Sequence, residues 1–183
     1  AKLKENGWAA YLHRHLRYGG KLMGICGGFQ MLGTLIEDPL GVESSVSQIR
    51  GLGLLDMQTV LNKKKTLSNV RGYFMNQDIA VNGYEIHVGI SSGPALSNPA
   101  FIIEGKPEGA TSMDGNILGT YLHGIFESTQ GCQALLSWAG LERAGAIDYA
   151  ALREQGIDRL ADAIDASFDK KQLRKLIPEL GMR

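Results

Sequence analysis

Cys26 stands in the stretch Gly24-Ile25-Cys26-Gly27-Gly28-Phe29-Gln30-Met31-Leu32-Gly33, with an apolar run before it and an amphipathic run after it. An ionised thiol is a strong nucleophile, and its surroundings decide how readily it ionises. A strand ending at Ile25 and a helix beginning near Gly28 predict a sharp backbone bend at Cys26 that lifts the sulfur out of a sheet. Side chains beside such a bend would collide, which is the expected reason for the flanking glycines. The helix would turn its free N–H groups and the positive end of its dipole toward the sulfur, favouring thiolate. The Gly27 N–H, immediately after the nucleophile, is placed to hold a developing oxyanion. The competing reading is a buried structural cysteine in a glycine-rich turn; the strand–glycine–helix context favours the nucleophile.

Such a thiol needs a base, and the chain has four histidines. His13 and His15 fall on the opening helix and are expected on its surface. His87, in YEIHVG, and His123, in TYLHGIF, both fall in strand-like segments. His123 is the better base, because it ends an apolar strand and is followed by glycine. In an α/β sheet such strand ends converge on one edge, where the bend would also present Cys26. A zinc site built from Cys26, His87 and His123 has no ligand pair at metal-type spacing. Cys132, beside Leu135 and Leu136 in a helical stretch, reads as core.

These residues need elements to hold them. Glu5 to Arg17 reads as a helix, and LMGIC as a buried strand. FQMLGTLI has helical spacing, with Phe29, Leu32, Leu35 and Ile36 on one face, and Asp38-Pro39 ends it. Residues 41–50 are polar and loop-like. GLGLLDMQTVL, KTLSNVRGYFM and IAVNGYEIHVGIS read as strands with turn signals between them, and FIIE as another. Asp114-Gly115-Asn116 predicts a hairpin between GATSM and ILGTYLHG. Thr129 to Ala139 predicts a helix that Gly140 caps. From about Gly145 the sequence is helical, with Leu160, Ile164 and Phe168 forming an apolar stripe to pack on the domain or a partner.

The chain has 183 residues, enough for one full core and a small appendage. Nineteen basic and nineteen acidic residues cancel, so no basic field for nucleic acid or an anionic membrane is expected. No apolar run approaches the ~20 residues of a bilayer span. Two cysteines form no disulfide framework, which points to reduced thiols in the cytoplasm. Neither a GxxxxGK[ST] loop nor a GxGxxG after a strand occurs, so nucleotide chemistry is not expected in this chain.

Taken in order, GICGGFQMLG, DPLGVE, GLGLL, NGYEIHVG and GTYLHGIFE resemble the glutamine amidotransferase domain of the cobyric acid synthase family, a class I glutaminase with a cysteine nucleophile. The resemblance implies an α/β fold: a flavodoxin-like mixed sheet flanked by helices. It also implies an amidotransferase domain over 1–140 and a C-terminal helical extension over 141–183. In that family the domain begins with further strands upstream of residue 1, one of which helps form the oxyanion hole. The expectation is therefore an N-terminally truncated domain whose isolated chain is weakly active.

The implied activity is hydrolysis of L-glutamine. The ammonia passes to an N-terminal synthase domain that uses ATP and Mg to amidate adenosylcobyrinic acid a,c-diamide, a corrinoid, in cobalamin biosynthesis. No cofactor is expected in this chain itself. Cys26 matches the nucleophile, His123 the base, Gly27 the oxyanion donor and Gln30 a substrate-holding amide. The Tyr84–Gly89 segment matches the border of the substrate's amino-acid end, with Glu85 and His87 as its contacts. Many class I members carry a glutamate two residues after the histidine; here that position is Ile125. The third member is then Glu85, Glu127, a group of the synthase domain, or absent. Two rivals share these features: a glutaminase subunit that amidates a peptidoglycan lipid precursor, and a non-catalytic docking module of the same fold.

Overall fold

The computed structural model describes residues 2–74, 78–141 and 148–167. The chain divides into two compact units, Ala1–Ala146 and Ile147–Arg183.

The first unit opens with α1 (Lys2–Glu5) and α2 (Trp8–Arg17). Gly7, at φ 76°, breaks what the sequence predicts as one helix. His13 and His15 are exposed on α2, as expected. Strand β1 (Leu22–Ile25) follows, then α3 (Gly27–Leu32), β2 (Leu35–Glu37) and β3 (Gln48–Arg50). The helix expected to run to Ile36 stops after one and a half turns. Gly33 is extended at ψ −175°, and a side chain there would meet the Met57 carbonyl at 2.7 Å. Leu35 and Ile36 instead pair with β4 (Gln58–Phe74), so pairing overrides their helical spacing. Part of the expected loop 41–50 is likewise strand, in β3.

β4 runs as one strand through two segments that the sequence reads as separate. It pairs antiparallel with β5 (Ala80–Ser92), and residues 62–65 bulge out opposite Val88. Shorter strands complete the unit: β6 (Phe101–Ile103), β7 (Lys106–Glu108), β8 (Ala110–Thr111), β9 (Ile117–Thr120) and β10 (Leu122–His123). The predicted hairpin is present, with β8 antiparallel to β9 around Asp114. α4 (Thr129–Trp138) ends the unit. Ser128 caps it by accepting the Gly131 N–H at 3.2 Å.

The fold is mixed α/β. One sheet has the order β1-β9-β8, with β1 and β9 parallel. The other runs β10-β5-β4-β2-β3, with β6 and β7 on the β4 side. All four positions of β9 are buried, the pattern of a strand covered on both faces. Two glycines let α3 lie close on the first sheet. A Cβ at Gly24 would stand 2.7 Å from Leu32 and 2.8 Å from the Gly28 backbone, and one at Gly119 would enter the Phe29 ring.

The core has two clusters. One gathers Phe101, Leu118, Leu122, Ile125 and Leu135; the other gathers Phe29, Leu32, Met57 and Tyr121. Segment 117–123 joins them, because β9 belongs to one sheet and β10 to the other. Asp38, almost fully buried, holds the loop after β2 by accepting the N–H groups of Val42, Glu43 and Ser44 at 2.7, 3.0 and 2.9 Å.

The second unit is described over α5 (Tyr149–Ser167), none of whose residues is buried. Leu160 and Ile164 are exposed on it, while Phe168 lies outside the described residues. No described helix is long and apolar enough to cross a membrane.

Candidate active site

Cys26 occupies the bend between β1 and α3 at φ 52°, ψ −113°. Glycine enters this region freely, whereas a side chain there is strained, at a cost of about 1–3 kcal/mol. Backbone bonds hold the bend from both sides. The Cys26 N–H donates to Thr120 O at 2.8 Å, and Cys26 O accepts the Gln30 N–H at 3.1 Å. The half-buried thiol donates to the Ile86 carbonyl of β5 at 3.6 Å.

The reason expected for the flanking glycines needs correction. Gly24 is sterically required, as shown above. Cβ atoms at Gly27 and Gly28 would meet nothing within 4 Å, and neither residue has positive φ. The bend itself does not demand glycine there.

Gln30 is buried, one turn into α3, and is no surface amide. Its side-chain amide lies against Gly89 and hydrogen-bonds the Tyr121 hydroxyl. That hydroxyl also bonds Ser91 Oγ at 2.8 Å, and Ser91 Oγ bonds Thr59 Oγ1 at 2.8 Å. Burial raises the Tyr121 pKa, so the phenol stays neutral and serves as a hydrogen-bonding post. The His87 ring stacks on Tyr121 with centroids 3.9 Å apart. His87 Nδ1–H donates to the Gly89 carbonyl at 2.9 Å, which turns Nε2 toward Glu85 Oε2, 3.9 Å away.

His123 sits at the end of β10, opposite Tyr84 of β5. Its ring stacks on Tyr84 at 5.2 Å with an interplanar angle of 8°. Nε2 is buried and, among the described residues, has no hydrogen-bond partner. The resting thiol and this nitrogen are therefore not bonded to each other. The structure thus groups Cys26, Gln30, Glu85 and His87 around Tyr121 and the Ile86 carbonyl. It brings His123 in on the same segment as Tyr121, with a vacant nitrogen. Glu127 lies exposed in a short 3-10 turn, and its N–H donates to the Gly124 carbonyl at 2.8 Å. Ile125 is fully buried in the same turn. Among the described residues no three His, Cys, Asp or Glu side chains could jointly hold a metal ion.

Two residues escaped the sequence reading. Tyr121 is one; its only sign was an aromatic two positions before His123, in a strand read as plain apolar. Glu108 is the other. Its Oε2 accepts the Thr120 hydroxyl at 2.6 Å and its Oε1 accepts the Tyr121 N–H at 2.7 Å. Burial raises its pKa to about 7 against both of these bonds, and the nearby Glu85 charge adds to the rise. Nothing in KPEGAT marks that glutamate, because its partners lie more than ten residues on.

A strained cysteine between strand and helix, the buried Gln30 amide one turn into that helix and a His123 Nε2 without a hydrogen-bond partner among the described residues lie in one mixed α/β domain. The chain belongs to the CobB/CobQ-like glutamine amidotransferase domain family, whose profile matches residues 1–131. Among solved structures it is similar to a chain described as "Structure of PurLQS from Thermotoga maritima". That likeness has 19% identity and a TM-score of 0.46, and it covers 63% of this chain and 56% of that chain.

Proposed function

We propose that this chain is a cysteine glutaminase domain that hydrolyses the side-chain amide of L-glutamine and releases ammonia to an ATP-dependent synthase. The observation that carries this reading is Cys26 itself: a non-glycine residue at positive φ between β1 and α3, beside open space, in a chain of this family. Strain of that kind persists where a function needs it.

In this reading the Cys26 proton passes to the vacant nitrogen of His123. The thiolate then attacks the amide carbon, and the Gly27 N–H holds the oxyanion. The His123 imidazolium gives its proton to the departing nitrogen as the C–N bond breaks, leaving a γ-glutamyl thioester and ammonia. His123 next takes a proton from water, whose oxygen displaces the sulfur and yields glutamate. Gln30, held by Tyr121, and the Glu85–His87 pair face the substrate's polar end. Residues 1–140 form the domain, and 141–183 extend it.

The finer reading is the glutaminase part of a cytoplasmic cobyric acid synthase, supported by NGYEIHVG and GTYLHGIFE. Its partner domain would use ATP and Mg²⁺ to activate carboxylates of a corrinoid. The deciding test is treatment of the full-length protein with 6-diazo-5-oxo-L-norleucine, a glutamine analogue that alkylates such thiols, followed by peptide mass spectrometry. One adduct on Cys26, blocked by excess L-glutamine and absent from Cys26→Ala, is expected. An unlabelled Cys26 would remove it from the nucleophile's role and favour the docking-module reading.

A further inference from the structure

We infer that Glu108 is a positioning residue for the Cys26–His123 pair, its carboxyl pinning the chain where segment 117–123 crosses from one sheet to the other. The inference rests on the glutaminase reading for its functional part and on the following geometry for its structural part.

β9 ends at Thr120, paired to Ile25 of β1, and β10 begins at Leu122, paired to Glu85 of β5. Tyr121 is the single residue between two sheets, and neither ladder fixes it. Glu108 supplies what the ladders omit. One carboxyl oxygen takes the Tyr121 N–H, and the other takes the Thr120 hydroxyl. The Thr120 hydroxyl in turn accepts the Leu122 N–H at 2.9 Å, so the pin reaches all three residues of the crossing. The same crossing serves both halves of the proposed pair. Thr120 O accepts the Cys26 N–H at 2.8 Å, and His123 follows Leu122 directly. Tyr121, oriented by the pin, supports Gln30 and His87. A carboxyl group in either protonation state accepts the Tyr121 N–H, so the pin does not depend on ionisation.

Glu108 has no cationic partner among the described ion pairs, and removing a buried acceptor leaves its donors unsatisfied. A one-ångström drift of the crossing would misplace the His123 imidazole relative to Cys26, the kind of misplacement that costs about 10²-fold in rate.

The test compares Glu108→Ala with Glu108→Gln in the full-length protein, by amide hydrogen exchange and by steady-state glutaminase kinetics. In Glu108→Ala, exchange at Cys26, Tyr121 and Leu122 should quicken on the order of tenfold or more, while amides at Thr59 and Val60 keep their protection. Its kcat should fall about 10–100-fold with KM for glutamine within about twofold. Glu108→Gln should restore both to within about threefold, since its amide oxygen accepts the Tyr121 N–H and its NH₂ donates to the Thr120 hydroxyl. Unchanged exchange at those three amides, unchanged kcat, or a glutamine variant as impaired as the alanine one would each overturn the inference. Should Glu108→Ala not fold, Thr120→Val removes one arm of the pin, and the same outcomes apply. If the unmodified protein shows no glutaminase activity and no labelling at Cys26, the functional reading fails. The exchange comparison then still decides whether Glu108 fixes the crossing.

Discussion

Glu108 titrates near pH 7 because burial penalises its charge more than its two hydrogen bonds favour it. In the unfolded chain the carboxyl would titrate at its ordinary 4.5. Between these values the folded protein binds the proton and the unfolded chain does not, so stability falls as pH rises through that window. The loss is on the order of 3 kcal/mol once pH exceeds the native value. Urea denaturation of the wild type should show this decline from about pH 5 to 8. Glu108→Gln should flatten it. An equally steep decline in that variant would assign the effect to another group. At this scale the sequence said much about Cys26 and His123, whose neighbours announce a bend and a strand end. It said nothing of Glu108, because a buried carboxyl and a surface one look alike until the chain has folded.

Elements were legible where local spacing and pairing agreed. β1, the β8–β9 hairpin and α4 carry their own signals: an apolar run, Asp114-Gly115-Asn116, and Gly140 at the end of a helical stretch. Reading failed where a distant partner decided. Leu35 and Ile36 fit a helix face, yet they pair with Gln58 and Thr59. The turn signals inside β4 became a bulge at residues 62–65, because β5 offers a ladder on both sides of it. Loop 39–47 shows the same dependence in polar form. Its backbone N–H groups converge on Asp38, whose carboxylate they hold below the usual range, the Glu43 N–H foremost. A depressed native value means that the bond set stabilises the loop above the ordinary 3.8 and is lost as pH falls through the native value. Asp38→Ala should therefore loosen the loop at neutral pH. Digestion with a glutamate-specific protease, cutting after Glu43, should run faster in the variant and leave the β4–β5 ladder intact. Cleavage at the wild-type rate would show that the loop needs no such anchor.

Across the first unit, two clusters of buried side chains meet through one short stretch, 117–123, which carries His123, accepts the Cys26 N–H, pairs with Glu85 and supports Gln30 and His87 through Tyr121. A domain of this size holds its fold by only about 5–15 kcal/mol. Against that margin, the backbone at Cys26 sits in a conformation costing about 1–3 kcal/mol, one that glycine would occupy without penalty. Cys26→Gly should then melt higher than the wild type by scanning calorimetry, even after the loss of a half-buried thiol; an unchanged or lower Tm would show the bend to be unstrained. The corollary concerns engineering. A library selected for heat tolerance alone would discard the proposed nucleophile at position 26, so any thermostable variant of this protein has to be screened for reactivity in the same round.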